Sequence, residues 1–94
     1  MAKQEEAKPA TPAWPIEFTL SRPVDVFGDT YTKLSLREPT AADLLKFGVF
    51  DDQISGDSAL DMIAHLSGTT PATVRALPGP DMLRLSRRLL GSFL

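Results

Sequence analysis

Between residues 16 and 36 the sequence alternates apolar and polar side chains around one glycine. Ile16, Phe18, Leu20, Val24 and Val26 share one parity, while Glu17, Thr19, Ser21 and Asp25 take the other. A period of two sets one face on a core and the other in water. Arg22 breaks the alternation, and Pro23, which has no amide hydrogen, marks an edge position or a bulge. Phe27-Gly28-Asp29 reads as a short turn, because Gly28 is free to take a positive φ. The return strand, Thr30 to Arg37, sets Thr30, Thr32, Leu34 and Leu36 on one face. With the turn centred on Gly28, Val26 faces Thr30, Val24 faces Thr32 and Leu20 faces Leu36. A hairpin alone is marginal in water, so the rest of the chain must cover its apolar side.

The rest has helical spacing. Pro39 ends the strand, and Thr40-Ala-Ala-Asp43 resembles a capping box with Asp in place of Glu, opening a helix over about 41–47 that stops at Gly48. Residues 49–57 read as a loop. Ser58 is the expected cap of a second helix, which runs to about Ser67 with Gly68 just past its end. Leu60, Ile63, Ala64 and Leu66 fall on one side of it, and Asp61 and His65 on the other. Thr70-Pro71 opens a short helix carrying Val74 and Leu77. Pro78-Gly79-Pro80 breaks the chain, and Asp81 starts the last helix. The expected fold is α+β: a two-stranded antiparallel hairpin over 16–37 and three to four short helices over 40–94, in a single domain spanning 15–94. Residues 1–14, with prolines at 9 and 12 and one large apolar side chain, Trp14, read as a disordered arm.

Composition narrows the chemistry. Ninety-four residues suffice for one small domain with a thin core. No cysteine is present, which excludes disulfides, zinc ribbons and thiol catalysis, and the single histidine excludes a site built on two imidazoles. A net charge of −2 gives no reason to expect nucleic-acid binding. No apolar run approaches the roughly 18 residues that cross a bilayer. Charge is uneven: residues 16–56 carry four basic and seven acidic side chains, whereas 57–94 carry four arginines against three aspartates.

Asp61 and His65 are the one pairing that resembles a catalytic dyad. With no nucleophile nearby in sequence, they read as a surface pair one helical turn apart. Asp51-Asp52 with Asp57 lacks the alternating oxygen ligands of a calcium loop. The glycines are scattered singly, so no phosphate cradle is present. No catalytic residue, metal or cofactor is expected. The last helix says more. Leu85, Leu89 and Phe93 lie within roughly 60° of Met82 on its wheel, and Leu83, Leu90 and Leu94 widen the apolar arc to about half the circumference. Arg84, Arg87, Arg88 and Gly91 take the opposite side. A helix covering a core needs only about a 100° stripe, so the wider arc reads either as the main core helix of a small domain or as a core stripe with an added surface for another chain.

Three segments together resemble a known family: Phe18-Thr-Leu-Ser-Arg-Pro23, Gly28 to Leu36, and Leu36-Arg37-Glu38-Pro39-Thr40-Ala-Ala-Asp43. A hairpin running into this last stretch is similar to the small tail assembly chaperones of Mu-like and related contractile-tailed phages. Leu66 to Thr69, the proline-capped helix ending at Leu77, and the helix from Asp81 to Phe93-Leu94 fit the same pattern. Thr73 and Arg75 depart from it, standing where acidic residues are expected. The resemblance implies a non-enzymatic protein of the bacterial host cytoplasm. It would bind the tape measure protein and keep it soluble while tail tube subunits polymerise, with the tail tube protein and a second copy of itself as further partners. It also implies that this chain is the short member of a short and frameshift-extended pair. Met82, Leu85, Leu89, Leu90 and Phe93 are the expected client-binding side chains. Pro23, Gly28, Leu36, Arg37, Glu38, Pro39, Thr40 and Asp43 are expected to be structural. Two rival readings are an adaptor retained in the tail, using the hairpin edge for strand addition, and a nucleic-acid-binding regulator using Arg84, Arg87 and Arg88.

Overall fold

In the computed structural model, which describes residues 14–92, Phe27 (φ 50°) and Gly28 (φ 87°) close the hairpin. Positive φ at both central residues is the mark of a type I′ turn, whose twist matches that of the strands it joins. Strands β1 (Ile16–Val26) and β2 (Asp29–Leu36) pair antiparallel, with Val26 opposite Asp29 and Ile16 opposite Leu36. The register expected from the sequence, Val26 on Thr30, Val24 on Thr32 and Leu20 on Leu36, is therefore corrected. The turn holds two residues rather than three, and a bulge takes up the difference. Between the pairs Thr19–Lys33 and Val24–Tyr31, residues 20–23 oppose Thr32 alone. Pro23 sits within this bulge, where no ladder hydrogen bond is asked of it. The odd surplus reverses the parity of β2. Leu34 and Leu36 face the core below the bulge and Tyr31 packs against it above, while Thr30 and Thr32, expected inward, are exposed.

Among the described residues four helices follow: α1 (Ala41–Lys46), α2 (Gly56–Ser67), α3 (Pro71–Ala76) and α4 (Gly79–Gly91). Thr40 and Asp43 close the capping box at the start of α1, each side chain accepting from the other's backbone N–H. Thr70 caps α3 ahead of Pro71. Two helix starts differ from expectation. Ser55, not Ser58, caps α2, its hydroxyl accepting the Ser58 N–H at 3.1 Å. α4 begins at Gly79, two residues before Asp81, with Pro78 at the cap and no side-chain capping bond. The two serines lie one turn apart, so either could cap in isolation, and the start at Ser55 adds a turn that leads into the buried Ala59.

The helices lie over the apolar face of the hairpin. Ile16, Phe18, Leu20, Leu34 and Leu36 meet Met62, Ile63, Leu66, Val74, Leu85 and Leu89 in one core. Each such side chain contributes about 1.5–3 kcal/mol on burial. Trp14, assigned above to the arm, packs partly buried on this core; the remainder of the expected arm, residues 1–13, lies outside the described residues. Helix α4 runs along β1 and binds its backbone. The Ser21 N–H donates to Asp81, and Arg88 Nη1 donates to the Glu17 carbonyl at 3.2 Å. Among the described residues no helix is long and apolar enough to cross a membrane.

Candidate protein-binding site

The apolar arc of α4 is divided between two environments. Met82, Leu85 and Leu89 point at the hairpin and α2, with 4%, 0% and 0% of their surface exposed. Three of the five expected client-binding side chains are thus core residues in the folded domain, because α4 is the helix that covers β1. Phe93 lies outside the described residues. Further round the helix, Leu83 is 53% exposed and Leu90 is half-buried. With Ser86 and Arg87 they form one wall of a groove of about 800 Å³. Leu60 and Ala59 of α2, together with Ile54 before it, form the other. Leu83 and Leu90 were legible as the excess of the arc. Ile54 was not, because a lone apolar residue in a loop has no period to betray it. Among the described residues three other large apolar side chains stand in solvent: Phe27 at the turn, Leu45 on α1 and Phe50 after it.

The polar motif residues gather at the strand-to-helix junction. Asp43, 7% exposed, accepts from the Thr40 N–H (2.9 Å) and from Arg37 Nη1 (2.9 Å), and its other oxygen lies 3.0 Å from His65 Nε2. His65 Nε2 also stands 3.0 Å from Arg37 Nη2. The Thr40 amide, followed by the Arg37 guanidinium, holds the Asp43 carboxyl well below the usual carboxylate range, outweighing its burial. Arg37 also donates to the Glu38 carbonyl, so the Leu36–Asp43 motif ties β2, α1 and α2 together.

The expected Asp61–His65 pair gives way to tertiary partners. His65 turns to Asp43, while Asp61 and Asp57 accept from Arg75 at 2.9 and 3.1 Å. Arg75 thereby pins α3 to α2. Among the described residues no three His, Cys, Asp or Glu side chains converge as metal ligands.

A second buried carboxylate anchors α4. Asp81 is fully buried and accepts from the Ser21 N–H (3.1 Å), from Ser21 Oγ (3.0 Å) and from Arg84. Burial pushes this carboxyl up, but the Ser21 donors and Arg84 together bring it below its ordinary value. Of the three arginines of α4, Arg84 pairs with Asp81 and Arg88 donates to the Glu17 backbone carbonyl; neither Arg87 nor Arg88 has an acidic partner among the described residues.

Fold and groove define a small α+β domain whose buried charges join its elements and whose open groove is lined mainly by apolar side chains. A family model for phage tail assembly chaperone proteins, E, or 41 or 14, matches residues 17–93, and the chain belongs to that family. The match spans hairpin, motif and all four helices. Searches of curated proteins and of solved structures returned no match.

Proposed function

We propose that the protein acts in the host cytoplasm as a non-enzymatic chaperone that binds helical segments of the tape measure protein and keeps them soluble during tail tube assembly. The observation that carries this reading is the groove between α2 and α4. Leu83 is largely exposed, and the half-buried Leu60 and Leu90 continue its apolar surface along the groove, the kind of surface an amphipathic helix covers. Each contact is small, and several copies along one client provide the hold. Co-expression with the tape measure protein raises the soluble fraction of that protein. Leu83→Glu, at an exposed position, leaves the chaperone folded and removes the gain. An unchanged soluble fraction with the wild-type chain refutes the reading.

The rival of a retained adaptor has one observation in its favour: among the described residues β2 has no strand along its outer edge. Mass spectrometry of purified virions separates the two, since a chaperone is absent from them and an adaptor present.

A further inference from the structure

The hairpin turn carries a residue that the turn itself does not favour. Type I′ turns select Asn, Asp or Gly, because only these take positive φ readily. Phe27 holds φ 50° in the first central position, with 74% of its surface in solvent. A β-turn gains nothing from an aromatic ring there, and the core does not receive it. Its neighbours are acidic: Asp25 and Asp29 stand at either side, so residues 25–29 present one exposed ring with two negative charges.

The groove between α2 and α4 has the opposite character. Its floor and walls are apolar, and Arg87 stands on its rim, exposed and without an acidic partner among the described residues. Asp57, the acidic side chain on the α2 wall, is already bound to Arg75 at 3.1 Å. Tip and groove therefore share apolar character and carry charges of opposite sign.

We propose that the hairpin tip of one copy docks into the α2–α4 groove of a second copy, with Phe27 as the apolar anchor and Asp29 facing Arg87. Two different surfaces meet in this contact, so it is heterologous: each added copy brings a fresh tip and a fresh groove. A turn and one ring cover less than the roughly 800 Å² per partner of a standard stable interface, so the contact is weak and concentration-dependent. It also covers an apolar groove while no client is bound.

The test uses the full chain alone, by sedimentation velocity over a wide concentration range. The wild-type sedimentation coefficient rises with concentration. Phe27→Asn creates the preferred Asn-Gly turn, so its melting temperature is unchanged or higher while self-association is lost. Leu83→Asp, in the groove, also remains monomeric. Mixed together, the two variants form a one-to-one dimer and nothing larger, since one retains its groove and the other its tip. Arg87→Asp weakens association, and adding Asp29→Arg to the same chain restores part of it. A wild-type chain that stays monomeric overturns the proposal. So does a Phe27→Asn variant that associates like wild type, or a mixture of the two variants that stays monomeric. None of these readouts involves the tape measure protein, so the client reading stands or falls separately.

Discussion

At the scale of single residues, Asp43 is held from three directions: by its own helix cap, by Arg37 at the end of β2 and by His65 in α2. Asp43→Asn keeps the size but removes the charge that the Arg37 guanidinium faces. The expected loss is about 2 kcal/mol, in line with a charged hydrogen-bonding group replaced by a neutral one, and urea titration measures it. The cap was readable in the sequence because Thr40 and Asp43 are three residues apart and obey a local rule. The Arg37 and His65 contacts were not, because they span 6 and 22 residues and depend on where α2 lands. For the same reason His65 looked like a partner of Asp61. Phe27 shows the converse: the turn was visible from Gly28, but a turn with Phe27 in its first central position was not, since its sequence preference argues against it.

At the scale of elements, α4 shows how one apolar stripe serves two purposes. Leu85 is fully buried against the hairpin and Leu83 is largely exposed. Leu85→Ala is expected to cost about 2–5 kcal/mol, as for a truncated core leucine. Leu83→Ala should stay within about 0.5 kcal/mol of wild type, as surface changes do. Equal losses in a pair of thermal melts would contradict the division described above. The sequence disclosed the stripe and its excess width, but not which part faces inward. That depends on the bulge in β1, which brings Ser21 to Asp81 and so sets the rotation of the helix. The bulge itself was signalled by Pro23, and its size was not, because nothing local fixes how many residues a bulge takes up.

At the scale of the whole molecule, two depressed carboxylates link stability to pH. Asp43 and Asp81 both titrate below their usual value of 3.8 in the folded chain. A group whose folded pKa is lowered contributes fully above its unfolded pKa, and the contribution is lost as protons are forced on below it. Stability should therefore be insensitive to these two groups from neutral pH down to about 5, then fall below about 4. In Asp43→Asn the acid limb becomes shallower; a limb of unchanged steepness in urea melts across this range would show that Asp43 carries no such linkage. The overall plan, hairpin then helices, was legible from the change of hydrophobic period. The groove was legible only in part, because a groove belongs to two helices and periodicity describes one at a time.

The bonds that α4 makes to the backbone of β1 have a further consequence. Arg88 and Asp81 occupy main-chain groups along that strand, in the place where a third strand would otherwise bind. A strand added along β1 would have to displace both of these bonds, whereas β2 carries no such ties to α4, so the two margins of the ribbon differ in how readily they accept a further strand.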